Sequence, residues 1–249
     1  MSLVRMEEIA DTRGLVRVVL DSPKVNAMGS QVLAQLAIGL EGLAANDKVR
    51  GVVLAGEGSC FSAGLDLKEV VALEGDDLIE FIACLERVLL AAFAFPKPIA
   101  TSVRGHAIAG GLVLALATDH VALGDGEYRV GLTELAVGVP FPRSALEVVR
   151  SALSSRAMRR MVLRPDTLAV KDAWALGVGD DFTDDPDAAA LDWVRQAAAL
   201  PATSFKIAKQ QLRELSIARW TENAASDRVR FAELLQAPAA RDAMRAALR

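Results

Sequence analysis

The chain alternates short, mostly apolar runs with longer segments of helical periodicity, and this alternation restricts the possible folds more than any other feature. The apolar runs are too short for helices and are bounded by glycine, proline or acidic residues, which is typical of buried strands. They lie at residues 16–20, 51–55, 99–103 and 120–123. Helices are predicted from Ser30, a candidate N-cap, from Asp76 until before Pro96, and over residues 109–117. The repeated order of strand and helix predicts an α/β fold.

The last part of the chain has a different pattern. Beyond about Pro142 strand signals become rare, and alanine-rich helical segments dominate. Pro201 is the predicted boundary between an α/β core, residues 1–200, and a helical C-terminal region, residues 201–249. The large apolar residues among the charges of this region are Trp220, Phe231, Leu234 and Leu235. Such a helical appendage either covers its own core or docks on another subunit.

Composition argues against several classes of function. With 28 basic and 32 acidic residues the net charge is −4, which argues against a dedicated nucleic-acid-binding protein but allows a local basic pocket. Two cysteines and two histidines do not predict a disulfide framework or a histidine-built metal site. The start of the chain is too polar for a signal peptide, and the longest uncharged stretch, between Arg104 and Asp119, is too short to span a bilayer. We therefore expect a cytoplasmic protein that binds neither membrane nor nucleic acid.

Two glycine-bearing turns are candidates for a ligand site. They occupy residues 61–67 and 105–111, and each follows a predicted strand and leads into a helix. Small residues allow backbone N–H groups to approach a ligand, and a helix N-terminus adds partial positive charge. Two such turns could direct two N–H donors at one oxygen, forming an oxyanion hole, although the same pattern also suits turns that bind nothing. A dinucleotide site is disfavoured, because the segment 56–61 matches the dinucleotide-binding pattern GxGxxG only in part, with Phe61 at the position of the third glycine.

These turns, in this order and separation, resemble the crotonase superfamily of enoyl-CoA hydratases and isomerases. The matching segments are PKVNAM at residues 23–28, LAGEGSCFSAGLDLKEV at 54–70, VRGHAIAGGLVLALATDHVAL at 103–123 and VGLTELAVGVP at 130–140. The resemblance covers nearly the whole chain. It implies a spiral of repeated ββα units with a C-terminal helical region that forms a homotrimer or a dimer of trimers. It also implies an acyl-CoA thioester substrate, with coenzyme A present only as part of that substrate and no metal or redox cofactor.

Carried over position by position, the resemblance implies a catalytic group and two donors. The oxyanion donors would be the N–H groups of Leu65 and Gly110, and Glu134 would be the acid–base group. Hydratases of this superfamily usually carry two glutamates, and Val113 stands at the position of the first. The segment from Val139 also lacks the glycine-rich turn common in hydratases, so both departures look more like the Δ3,Δ2-enoyl-CoA isomerase branch. If the apolar neighbours of Glu134 surround it, burial should raise its pKa.

The resemblance also implies which residues contact the substrate. The predicted substrate- and CoA-binding residues are Lys24, Ala27, Ala63, Gly64, Asp66, Lys68 and Val113. Lys24 and Lys68 are candidate cations for the CoA phosphates. Lys206 and Lys209 could reach a neighbouring subunit's ligand, while His106 is interpreted as a structural turn residue.

Three functions remain open on this basis, and an NAD-dependent dehydrogenase is a fourth that the missing third glycine disfavours. The favoured one is a double-bond isomerase that uses Glu134 alone, because a single carboxylate can take a proton at C2 and return it at C4. The second is a hydratase or another crotonase-type lyase in which a different group replaces the missing glutamate. The third is a non-catalytic acyl-CoA-binding or scaffold protein.

Overall fold

Two sheets and a set of surrounding helices make up the computed structural model, which describes residues 2–248. The strands are β1 (Val4–Glu8), β2 (Leu15–Leu20), β3 (Gly51–Gly56), β4 (Cys60–Ser62), β5 (Ile99–Val103), β6 (His106–Ile108), β7 (His120–Gly124), β8 (Arg129–Gly131), β9 (Leu168–Ala169) and β10 (Asp181–Thr183). The helices of the first half are α1 (Ser30–Ala45), α2 (Leu67–Ala72), α3 (Gly75–Phe93) and α4 (Gly110–Leu116), followed by a 3-10 helix at Glu134–Val137. The helices of the second half are α5 (Arg143–Ala152), α6 (Ser155–Leu163), α7 (Val170–Ala175), α8 (Pro186–Ala198), α9 (Ala202–Thr221), α10 (Ala224–Gln236) and α11 (Pro238–Ala247).

The strands are distributed between a larger and a smaller sheet in a repeating way. The larger sheet has the order β1-β2-β3-β5-β7-β10 and is parallel except for the β1–β2 pair. The smaller sheet has the order β4-β6-β8-β9, in which β4, β6 and β8 are parallel. The pairs β3–β4, β5–β6 and β7–β8 each place one strand in each sheet before a helix follows. This arrangement confirms the α/β class and the spiral of repeated ββα units.

The longer predicted elements are present, whereas the cap of α1 was assigned to the wrong residue. The predicted strands correspond to β2, β3, β5 and β7, and the predicted helices to α1, α3 and α4. Ser30 is the first residue of α1 and Gly29 is its N-cap, without a capping side chain. The free N–H of Ser30 donates instead to the Glu69 carboxylate at 3.0 Å, and the Ser30 hydroxyl donates to the same group. The Glu69 side chain of α2 therefore accepts a hydrogen bond from a backbone N–H at the start of α1 that has no partner within the helix.

The C-terminal helices fold back over the chain's own core. Helix α9 begins directly after Pro201, α10 packs on α3, and α11 packs on α2 and the 3-10 helix. Trp220, Phe231 and Leu235 are buried, whereas Leu234 is exposed. The region was predicted either to cover its own core or to dock on another subunit. In the structure, α10 and α11 cover the core of their own chain.

A buried ion cluster ties α9 to the core. The Asp119 carboxylate accepts a hydrogen bond from Lys209 Nζ at 2.8 Å and forms an ion pair with Arg213, whose Nη2 lies 2.9 Å away, and all three side chains are less than one-tenth exposed. Arg213 also donates to the buried carbonyls of Phe93 and Thr118, and so satisfies acceptors near the C-terminal ends of α3 and α4. Burial lowers the pKa of Lys209 to about 8. Lys209 therefore holds its own core together, and its predicted reach toward a neighbouring ligand is wrong.

In the part of the chain that the structure describes, none of the helices combines the length and the apolar character that a membrane span requires.

The ion cluster predicts a large effect of removing its single anion. Asp119→Asn leaves Arg213 buried and charged without a counterion, which typically costs about 3–5 kcal/mol. Chemical denaturation should show a free energy of unfolding lower by about 3 kcal/mol or more. The matched control is Asp192→Asn, which breaks an exposed ion pair with Arg195 and should cost less than about 0.5 kcal/mol. Equal losses in the two variants would contradict this assignment.

Candidate active site

The two glycine-bearing turns are brought into direct contact by the smaller sheet. β4 pairs with β6 in parallel, and these short strands occupy the first part of the two predicted turn segments. Gly64 has a φ of +89°, and a Cβ placed there would lie 3.0 Å from the Ile108 carbonyl oxygen and 3.1 Å from the Gly110 nitrogen. Only glycine combines this conformation with so close an approach of two backbones. The structure thus brings together Gly64, Leu65 and Gly110 as the sequence predicted.

The second turn contains a strained residue next to the predicted donor. Ala109 has φ +49° and ψ −127°, a conformation that costs a non-glycine residue about 1–3 kcal/mol. Its N–H donates to the Gly131 carbonyl at 2.7 Å, and its carbonyl accepts from the Val113 N–H at 3.1 Å. These two bonds hold the strained residue in place. As a result α4 starts abruptly at Gly110, next to the first turn.

The backbone N–H groups of Leu65 and Gly110 are available to a ligand. Gly110 is the first residue of α4, so its N–H has no partner within the helix. The neighbours of Leu65 are engaged, since the Met28 N–H donates to the Gly64 carbonyl and the Asp66 N–H donates to the Met28 carbonyl. Within residues 2–248 neither the Leu65 nor the Gly110 N–H donates to a backbone carbonyl. Both residues line the same cavity.

This cavity has a volume of about 100 Å³ and an almost wholly apolar wall. The wall combines residues that are distant in sequence, including Leu67, Leu85, Leu89, Val113, Val137 and Phe231. Glu134 is its one ionisable lining side chain within the described part of the chain, and Thr133 adds the remaining polar one. An apolar cleft with few polar groups is the usual form of a small-molecule site.

Glu134 is buried without compensation. It is the first residue of the 3-10 helix, is 9% exposed, and its Oε2 has no hydrogen-bond partner. Burial raises the pKa of its carboxyl from 4.5 to about 7, against a smaller opposing effect of its own backbone N–H. Such a buried, perturbed carboxyl in a cleft is a candidate general base.

The source of this burial differs in part from the sequence-based expectation. Leu132 is buried and Val137 lines the cavity, but Leu135 and Ala136 are exposed. The 3-10 helix that carries Glu134 also packs against α11. The raised pKa was therefore predicted correctly, with an incomplete set of neighbours.

Val113 lies in the cavity wall one turn into α4 and is fully buried. The two other buried glutamates are engaged elsewhere: Glu86 accepts from Arg228 and Glu147 accepts from Arg150, and neither lines the cavity. No second carboxylate from residues 2–248 therefore faces Glu134 across the cavity.

The predicted CoA-binding residues are spread around the entrance turns. Ala63 lines the cavity, and its N–H donates to the Val25 carbonyl at 3.0 Å. Ala27 is half-buried, whereas Lys24 and Lys68 are exposed. The Asp66 carboxylate caps α2, accepting from the Lys68 N–H at 3.0 Å. His106 Nδ1 accepts from the Arg129 N–H at 3.2 Å, consistent with a structural residue.

Several wall residues were not predicted as part of the site, and Leu85, Leu89 and Phe231 are those that come from distant helices. Leu85 and Leu89 belong to the apolar stripe of α3, and Phe231 comes from α10 more than 90 residues after Glu134. Helical periodicity marks such residues as inward-facing, but it does not distinguish a packed core from a cavity wall.

Comparisons with known proteins agree with the geometry. A family model described as enoyl-CoA hydratase/isomerase matches residues 10–247. The probable enoyl-CoA hydratase EchA17 of Mycobacterium tuberculosis is 31% identical over 227 residues, covering 90% of this chain and 86% of the relative. A putative enoyl-CoA hydratase of Thermus thermophilus is 32% identical over 209 residues, covering 80% and 81% of the two chains.

A solved structure shows the same fold. The crystal structure of human mitochondrial Δ3-Δ2-enoyl-CoA isomerase superposes with a TM-score of 0.94 at 23% identity and covers 99% of this chain and 96% of the human one. At this identity the match concerns the fold alone. Together with the family model, which spans almost the whole chain, it establishes that the chain belongs to the enoyl-CoA hydratase/isomerase family of the crotonase superfamily.

Proposed function

We propose that the protein is an enoyl-CoA double-bond isomerase in which Glu134 alone moves the proton between C2 and C4. The observation that carries this proposal is the cavity wall, where Glu134 is the one ionisable side chain in the described chain. The substrate is a 3-enoyl-CoA thioester, and coenzyme A enters only as part of it. No metal or redox cofactor is needed, because the reaction moves one proton within the substrate.

The two backbone donors supply the electrostatic part of catalysis. Removal of a proton from C2 places negative charge on the thioester oxygen, and the N–H groups of Leu65 and Gly110 donate hydrogen bonds to that oxygen in the proposed complex. A donor of this type is worth about 3 kcal/mol of transition-state stabilisation. Because Gly110 begins α4, the positive end of the helix also faces the developing charge.

The proton removed from C2 is transferred to Glu134. The acceptor is the carboxylate of this residue, which lines the cavity, and the same carboxylate can return the proton to C4 of the dienolate. The apolar wall excludes water, which strengthens both the carboxylate's basicity and the donors' effect. One base and two donors are therefore sufficient for the isomerisation.

The hydratase alternative is favoured by the printed names of the mycobacterial and Thermus relatives. Hydration requires one group to activate water and another to protonate the α-carbon, work that two carboxylates share. Val113 cannot transfer a proton, and the buried Glu86 and Glu147 are bound by arginines away from the cavity. The wall thus supports isomerisation better than hydration.

Binding and assembly complete the proposal. Lys24, in the segment 23–28, and Lys68, directly after the turn 61–67, are exposed and are suited to the CoA phosphates. The most exposed large apolar side chains of α9 are Leu212 and Leu215. A homotrimer or dimer of trimers would cover such a surface, since subunit interfaces bury contiguous apolar area.

Glu134→Gln tests the proposal directly. The wild-type protein should convert 3-hexenoyl-CoA to the conjugated 2-enoyl product, measured as a gain of ultraviolet absorbance, and should leave crotonyl-CoA unchanged. The variant should lose about 10²–10⁴-fold in kcat, typical of a missing general base, and should keep its affinity for acyl-CoA. Loss of crotonyl-CoA absorbance in the wild type would favour hydration. No turnover with either substrate would favour the non-catalytic function.

The raised pKa of Glu134 predicts a specific pH dependence. The base must be ionised, and burial raises its pKa to about 7. The value of kcat/KM for 3-hexenoyl-CoA should therefore increase tenfold for each pH unit below about 7 and become constant above it. This parameter reports the ionisation of groups in the free enzyme. A profile that is flat between pH 5 and 8 would contradict an essential role of Glu134 as base.

The pH dependence of the free energy of unfolding tests the raised pKa of Glu134 independently of activity. A carboxyl whose pKa is higher in the folded state destabilises the fold when it ionises, so the wild type should lose stability as pH rises from 4.5 to about 7. A pKa difference of one corresponds to about 1.4 kcal/mol, so the total loss should be about 3 kcal/mol. Glu134→Gln should lack this loss and be the more stable protein at pH 8 in chemical denaturation.

The donor role of Gly110 is testable with two substitutions at one position. Gly110→Pro removes the N–H, and proline is tolerated at the first position of a helix. It should lower kcat by about 10²–10³-fold. Gly110→Ala is the control: it keeps the N–H, and its Cβ would lie 3.3 Å from the flexible end of Met28. Equal kcat values in the two variants would remove Gly110 from the oxyanion hole.

A further inference from the structure

Helix α10 is fastened to two other helices at positions beside the cavity wall. Its consecutive residues Asp227 and Arg228 have opposite charges and different partners: Asp227 accepts from Arg143 of α5, and Arg228 donates to Glu86 of α3. Arg143 directly follows Pro142, which lines the cavity, and Glu86 lies directly after Leu85, which also lines it. Both ion pairs therefore hold α10 against the elements that form the cavity.

The Arg228–Glu86 pair is the more shielded of the two. Arg228 donates to Glu86 Oε2 through Nε at 2.9 Å and through Nη2 at 2.8 Å. The Glu86 side chain is only 9% exposed, so the attraction is screened less than that of a surface pair. The two hydrogen bonds between Arg228 and Glu86 therefore fix how α10 is rotated about its axis and where it lies along α3.

Phe231 lies three residues after Arg228, on the neighbouring turn and the same side of α10. It is buried and lines the cavity together with Leu85 and Leu89. Its ring therefore forms part of the cavity wall. The ion pairs keep it there.

The size of the cavity indicates which chains fit. An apolar cavity of about 150 Å³ holds a benzene molecule, which has six carbon atoms. The cavity here is about 100 Å³ and must accept the reacting carbons beside Glu134. On the same scale it holds about four carbon atoms, so it suits short acyl chains better than long ones.

Resting on the isomerase function proposed above, we propose that Phe231 determines acyl-chain length, restricting the site to short-chain acyl-CoA, and that Arg228 is a positioning residue that holds Phe231 through Glu86. Shortening the Phe231 side chain lengthens the cavity at the α10 wall. Loosening the ion pair lets the ring move and broadens the range of accepted chains.

Calorimetric binding of saturated acyl-CoA esters of four, six, eight, ten and twelve carbons tests this inference. Saturated chains do not react, so their affinities report the cavity even if the protein proves not to be an isomerase. The wild type should bind butyryl- and hexanoyl-CoA at least tenfold more tightly than decanoyl-CoA. Phe231→Ala should reverse this order, and Phe231→Leu, which is the milder change to the fold, should move the optimum to about eight carbons. Leu234→Ala, on the exposed side of the same helix, is the matched control and should leave the wild-type profile.

The positioning role of Arg228 is tested by how its variants change the ratio of butyryl-CoA to decanoyl-CoA affinity. Arg228→Met should keep the butyryl-CoA affinity while binding decanoyl-CoA at least fivefold more tightly than the wild type, and Arg228→Lys should restore the original ratio. A purely structural role would weaken all chain lengths equally and would overturn the positioning role. The whole inference is overturned if the wild type binds decanoyl-CoA as tightly as butyryl-CoA, or if neither Phe231 variant changes the ratio. Either result with intact isomerisation of 3-hexenoyl-CoA leaves the proposed function standing.

Discussion

The pairing of three-residue strands into a second parallel sheet is the constraint on which the rest of this structure depends. Neighbouring strands lie about 4.8 Å apart, so the turns that follow β4 and β6 are brought into backbone contact. The space is so limited that a Cβ at Gly111 would lie 2.3 Å from the Ser62 carbonyl oxygen. A side chain there would separate the sheet from α4. The close approach that forces glycine into the second turn is the same one that places two free N–H groups at one cavity.

The fold accepts two local penalties at this cavity. Ala109 adopts a strained conformation immediately before Gly110, and Glu134 is buried without a hydrogen-bond partner for Oε2. Neither improves the stability of the chain, and both persist because the surrounding bonds and packing are strong enough to impose them. Each penalty has a chemical counterpart: the strained turn presents an N–H group, and the dehydrated carboxyl has a pKa near neutrality. Removing either would make the protein more stable and the site less reactive.

The sequence predicted the parts of the fold that carry a periodic signal. β2, β3, β5 and β7 are apolar runs long enough to identify, whereas β4, β6 and β8 span three residues each and have no recognisable period. Glu134 and the two donors were found through the resemblance, since spacing alone does not bring residues 65, 110 and 134 together. Lys209 was misplaced because a lysine is usually exposed; its partner Asp119 lies 90 positions earlier in the chain. Phe231 could not be distinguished from the ordinary core of a helical tail.

The character of the cavity wall bears on the choice between moving a proton and adding water. An ordered water needs two to four polar partners, and apolar cavities remain dry. Glu134 and Thr133 are the polar side chains that the wall offers within residues 2–248, and they are adjacent in the chain. The wall at Val113 has nothing to hold a second reactant opposite them. A water placed there would lose hydrogen bonds that the apolar wall cannot replace, whereas an acyl chain would gain from the same surface. The apolar side chain of Val113 opposite a single carboxyl therefore bears on which molecule the proposed isomerase can hold as well as on which protons it can move.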